Sequence, residues 1–172
     1  DFFQRVIYTQ VPKLVSAGNL NINVKPLPSE GQPDNFNGAV GDFSIDLSTT
    51  KKQLKANESL QAKVKISGRG NLRLFSLPKL QTPSAIEQYE PESKENIRSN
   101  LSGMSGSVTQ SYTLVPQYQG KYPIPAVEFS FFNPKTKRYE TVKSAEQLVD
   151  VTEGPLVNRA VNITTPAVVS IE

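Results

Sequence analysis

The stretch SLQAKVKISG, Ser59 to Gly68, alternates apolar and polar side chains without a break. Leu60, Ala62, Val64 and Ile66 fall on one side of an extended backbone; Gln61, Lys63 and Lys65 fall on the other. Successive side chains of a strand point to opposite faces, so a period of two specifies a strand with one buried and one wet face. Half-buried strands of this kind belong to antiparallel sheets. The rest of the chain must therefore supply partner strands and a second layer.

It does so repeatedly. VGDFSIDL places Phe43, Ile45 and Leu47 on one face, and SVTQSYTLV does the same with Val108, Tyr112 and Leu114. VEFSFF alternates Val127, Phe129 and Phe131 inward and turns Phe132 outward. NPKTK, Asn133 to Lys137, reads as a turn, and RYETV and EQLVDV complete the set. Ser48–Glu58 reads as a polar connection and Gly68-Arg69-Gly70-Asn71 as a tight turn before the short LRLF. Pro78, Pro83 and Pro91 loosen the pattern; a short strand is expected at Ile86–Tyr89 and a flexible loop at Ser99–Ser107. No segment carries a helical stripe. Roughly seven or eight short strands over the main body predict an all-β fold, an immunoglobulin-like antiparallel β-sandwich.

The expected organisation is a sandwich over 39–152 with terminal extensions from neighbouring modules. Residues 1–28 close with the alternating strand Asn19–Lys25 and read as the end of a preceding β module, with Phe2, Phe3, Val6, Ile7 and Tyr8 needing cover. Residues 29–38 form a linker, and 153–172 an extended C-terminal segment or linker. Exposed edge strands leave a strand-exchanged dimer open. The start at Asp1 reads as excision or processing, with any export signal or membrane anchor outside these residues. No apolar run reaches the roughly 18 residues that a membrane-spanning helix needs.

The chain has no His and no Cys, which removes the common catalytic dyads and triads, thiol redox chemistry and the usual zinc ligands. No catalytic residue, metal ligand or cofactor site is assigned. GRGNLR lacks the third glycine and the helix of a phosphate-binding loop. Asp42 and Asp46 share a face without calcium-loop spacing. Asn57, Asn100 and Asn162 each open an N-glycosylation triplet, a pattern that chance readily supplies. A formal charge of +3 is mild, and Lys51, Lys52, Lys55, Lys63 and Lys65 read as a solvated face, so no nucleic-acid partner is expected.

The aromatic and proline-rich stretch YTLVPQYQGKYPIPAVEFSFFNP, Tyr112 to Pro134, raises the alternative of a binding surface. Its YQGKY segment suits a tyrosine corner, in which a phenol hydroxyl bonds to backbone a few residues upstream. Gly120 supplies the turn and Tyr122 the phenol. Pro123 and Pro125 flank Ile124 and confine the strand to an edge or a bend. Tyr118 and Phe132 remain as partner contacts, with Lys135, Lys137 and Arg138 at a turn tip suited to an acidic partner. The Ser99–Ser107 loop, the Gly68–Asn71 turn and the Asn133–Arg138 hairpin are the candidate contact regions. Tyr89, Tyr118, Phe132 and Tyr139 supply a second reading, a stacking platform for carbohydrate or peptidoglycan. A passive structural spacer is a third.

Three separated pieces, VKPLPSEGQPDNFNGAVGDFSI, ISGRGNL and GSVTQSYTLVPQYQGKYPIPAVEFSFFNPKTKRYET, occur in an order that resembles the BatD, or oxygen-tolerance, family. The resemblance implies an aerotolerance-linked bacterial envelope protein of Bacteroidetes-like organisms, without catalytic activity. It implies an export signal, tandem immunoglobulin-like domains and a C-terminal anchor that holds them on the periplasmic side of the inner membrane. Neighbouring genes would encode von Willebrand A-domain proteins, a tetratricopeptide protein and a MoxR-type ATPase; the A-domain proteins, with the tetratricopeptide protein, are the implied partners. Its recurrent positions, Gly38, Gly41, Gly70, Asn71, Pro116, Gly120, Tyr122 and Pro125, read as turn-makers and corners.

Overall fold

The computed structural model describes residues 9–156. Every regular element in that range is a strand: β1 (Gly41–Thr49), β2 (Gln53–Leu54), β3 (Leu60–Gly70), β4 (Ile86–Gln88), β5 (Glu92–Asn100), β6 (Gly103–Pro116), β7 (Gly120–Ile124), β8 (Glu128–Asn133), β9 (Arg138–Lys143) and β10 (Gln147–Val151). They build an immunoglobulin-like β-sandwich. One layer runs β1-β3-β6, and β4 and β5 share the far edge of β6 in succession. The other layer comprises β2-β10-β7 and the β8–β9 hairpin.

The alternation of β3 works as its sequence dictates. Leu60, Ala62, Val64 and Ile66 are buried and face Phe43 and Leu47 of β1, Val108 and Leu114 of β6, and Phe129, Phe131 and Val149 from the opposite layer in a single core. Each fully buried aliphatic or aromatic side chain here stabilises the fold by about 1.5–3 kcal/mol relative to exposure. Phe43 sits among Phe75, Phe129 and Phe131, with ring centroids 5.4–5.9 Å away and edge-to-face geometry, the arrangement that ring quadrupoles favour.

The Gly68–Asn71 segment is not a tight turn. Gly68 and Gly70 lie inside β3, opposite Phe43 and Gly41. A Cβ on Gly41, Gly68 or Gly70 would stand 2.6–2.8 Å from atoms of the Phe43 ring, so the three glycines form the slot in which that ring lies. Asn71 then brackets the incoming chain. Its amide donates to the Gly38 carbonyl at 2.8 Å and its Oδ1 accepts from the Val40 N–H at 2.7 Å. A side chain thus pairs backbone groups that no strand reaches.

Four further expectations are revised. Ser99–Ser107 is not a loose loop but the turn of a long hairpin, with nine β5 residues in register from Glu92 opposite Ser111 to Asn100 opposite Gly103. The polar connection Ser48–Glu58 contains β2, which pairs in parallel with β10 and buries Leu54. Asn19–Lys25 forms no strand, and Leu20, Ile22 and Val24 are exposed, because its alternation meets no partner among the described residues. Pro28–Gly38 and the two residues after it lie as a strap over the outer face of β8–β9. Tyr139 donates its hydroxyl to the Pro28 carbonyl at 2.7 Å, Ser130 bonds Asn35, and the Phe132 N–H donates to the Ala39 carbonyl. The readings of Phe2–Tyr8 and of residues 157–172, including the Asn162 triplet, lie outside the described residues.

Candidate functional site

The sandwich brings three sequence-distant segments to one end: the end of β3 with the bend after it, the tip of the β5–β6 hairpin, and the turn of β8–β9. Between them lies a cleft of about 620 Å³, whose walls include Val40–Asp42, Arg69–Asn71, Arg73, Leu74, Ser102–Met104 and Asn133–Lys135. Each wall takes part of one segment named from sequence, Gly68–Asn71, Ser99–Ser107 and Asn133–Arg138.

Each wall follows from local chemistry. The bend after β3 closes with the Leu74 N–H on the Asn71 carbonyl at 2.8 Å. Leu72 goes into the core and Leu74 is left 75% exposed beside the cleft. At the hairpin tip, Asn100 Oδ1 accepts from the Ser102 N–H at 2.9 Å and from its hydroxyl at 2.7 Å, which leaves Leu101 fully exposed. In the third wall, Asn133 Oδ1 accepts from the Lys135 N–H at 3.0 Å, and the Lys137 N–H reaches the Asn133 carbonyl at 2.8 Å. Lys137 adopts φ 57°, the left-handed conformation that tightens this turn.

The charge around the cleft is mostly positive. Arg69, Arg73 and Lys135 line it with one carboxylate, Asp42. Lys135 Nζ is 3.0 Å from Asp42, and Arg73 Nε is 3.2 Å from Glu95, both pairs well exposed. Pairs of this kind exchange readily for other partners because water screens them. The Arg69 guanidinium donates to the Ser102 hydroxyl at 3.3 Å and forms no ion pair among the described residues. A single carboxylate already paired to lysine is not the pair of acids that glycoside cleavage requires.

The other candidate residues lie elsewhere. Tyr122 donates its hydroxyl to the Tyr118 carbonyl at 3.0 Å, four residues upstream, at the turn that Gly120 opens. Its strand, β7, is the edge of a three-stranded sheet, and Pro123 and Pro125 are exposed there. Tyr118 is half-buried. Lys137 and Arg138 are exposed on the β8–β9 turn but do not line the cleft.

Phe132 does not point into solvent. Alternation turns it away from the core, but the strap covers it, leaving it 8% exposed. Its ring sits 5.2 Å from that of Tyr139, which in turn meets Phe36 of the strap at 5.0 Å. Of the four rings of the supposed stacking platform, Phe132 is buried, Tyr118 and Tyr139 are half-buried, and Tyr89 alone is substantially exposed. No planar row of open rings exists among the described residues. Sequence reasoning names the segments that hold Arg69 and Met104 without singling out those side chains, and it misses Arg73 and Leu74; the one signal is an apolar Leu74 next to basic residues in a segment that alternation leaves unassigned.

A family model described as the BatD DUF11 like domain matches residues 47–151. No curated protein and no solved structure matches the chain.

Proposed function

The chain belongs to the BatD family, and from that premise we propose that this sandwich is a non-catalytic interaction domain of an envelope complex linked to oxygen tolerance and stress resistance. It would work on the periplasmic side of the inner membrane, held by an anchor elsewhere in the protein. Its partners would be the von Willebrand A-domain proteins encoded beside it, with the tetratricopeptide protein of the same operon as a further contact. The observation that carries this reading is the convergence of three sequence-distant segments on one apolar cleft with a cationic rim. A surface that combines exposed aliphatic side chains with arginine is the composition of a protein contact rather than of a hydrolytic site.

The test is capture of the purified A-domain proteins on the immobilised chain, with and without Mg²⁺. Saturable capture that weakens when Lys135→Glu is introduced supports a docking role for this end. Absence of capture at high concentration moves the domain to the role of a spacer that holds its neighbours apart.

A further inference from the structure

The chemistry of the cleft narrows what it takes. We propose that it receives an acidic–aliphatic segment of a partner protein, with one aliphatic side chain seated on Leu74 and Met104 and a neighbouring carboxylate held by Arg69. This deepens the interaction reading above and rests on it. The argument is charge complementarity over an apolar floor. Arg69 offers a planar fork of donors of which, among the described residues, one contact, to Ser102, is used, and carboxylates match that fork bidentately. Arg73 and Lys135 flank it, each paired among the described residues with one exposed carboxylate, so an incoming acid can recruit them without stripping a buried ion pair. Leu74 and Leu101 stand exposed at the same end, and Met104, with its adaptable thioether side chain, lines the wall.

The chain's own exposed aliphatic stretch is a poor occupant. Residues 9–29 carry Lys13 and Lys25 and no carboxylate, so a second copy would bring like charge to a cationic rim. The occupant proposed is a segment of a different chain.

The experiment titrates the ¹⁵N-labelled chain with a capped peptide of alternating glutamate and leucine. Two control peptides replace glutamate by glutamine, or leucine by serine. The proposal expects saturable shifts at the amides of Arg69, Leu74, Gly103 and Lys135, and both controls bind several-fold more weakly. Arg69→Glu lowers affinity about tenfold or more, as loss of a charged anchor does, and Leu74→Asp lowers it several-fold. Both positions are exposed, and an unchanged urea midpoint verifies that the fold is intact. Equal binding of the glutamine peptide, shifts confined to another face, or no saturation into the millimolar range overturns the proposal. The A-domain capture assay separates the two claims. If Arg69→Glu still captures the partner as well as wild type, the cleft assignment fails and the interaction reading stands. If wild type captures nothing, that reading fails, and the peptide titration decides the cleft by itself.

Discussion

The β8–β9 and β5–β6 hairpins are both antiparallel ladders, yet β8 is buried from Phe129 to Asn133 while β5 is exposed from Glu92 to Asn100 except at Ile97. Phe129 and Phe131 of β8 reach the core, and Phe132 on its other face is roofed by the strap. For β5, nine in-register residues are joined to β6 by backbone hydrogen bonds with one half-buried isoleucine for packing. Net, a backbone hydrogen bond contributes little because water offers the same bond to the unfolded chain. Cooperative stability therefore concentrates in β8–β9 and thins out toward the β5–β6 tip. The cleft lies between the two, with Asn133–Lys135 as its firm wall and Ser102–Met104 as its yielding one. The docking role proposed for the cleft would keep its register on one side and adapt on the other.

The largest effect that would test this contrast is on the covered hairpin. Phe131→Ala removes a ring packed edge-on against Phe43 and should cost about 3–5 kcal/mol, as truncated core aromatics do. A urea titration followed by circular dichroism measures it. A loss below about 1 kcal/mol would mean that β8 is not the anchor.

Next in size comes the bracket that holds the strap. Asn71→Ala strands the Gly38 carbonyl and the Val40 N–H, both half-buried or nearby. The expected loss is about 1–2 kcal/mol, the two bonds plus the partial desolvation of groups that are only half-buried. Amide exchange should quicken first at Phe132, whose N–H bonds Ala39. A variant that loses stability without that local change would place the role of Asn71 elsewhere. A smaller effect is expected at the tyrosine corner. Tyr122→Phe keeps the ring and deletes one hydroxyl bond to backbone, so the urea midpoint should fall by the equivalent of about 0.5–1.5 kcal/mol. No change would show that water replaces the bond at this edge.

These regions differ as much in how legible they were. Strands with one buried face, β1, β3 and β6, and the core-facing side of β8 announce themselves by alternation, because burial of every second residue selects for it. β5 has no such pattern: ESKENIRSN buries neither face, and it is extended because β6 offers a ladder, a fact that lies in the partner. Phe132 shows the converse failure. Its alternation turns it away from the core, yet the outer face is covered by a strap roughly 100 residues away in sequence, which no local period encodes. GRGN looked like a turn because glycine pairs usually are; here they empty a slot for Phe43. The site was legible in pieces. Three segments can be named from their residues, but their meeting at one cleft is a property of sandwich topology.

The smallest expected effect bears most directly on β5. Lys94 lies mid-strand opposite Thr109 and is exposed. If backbone pairing alone holds this strand, Lys94→Ala should change global stability by no more than about 0.5 kcal/mol, the usual range for a surface site without special contacts. The same logic requires that β5 amides bonded to β6 exchange much faster than those of β8, since local opening exposes almost no apolar surface. A Lys94→Ala cost above about 1.5 kcal/mol, or β5 exchange as slow as that of β8, would reveal packing on β5 that the fold does not otherwise supply. Fast exchange that slows toward the Ser102–Met104 tip when the glutamate–leucine peptide is added would instead fix the yielding wall as part of the binding surface. The edge strand would then be loosely held because its tip has to adjust to what docks there.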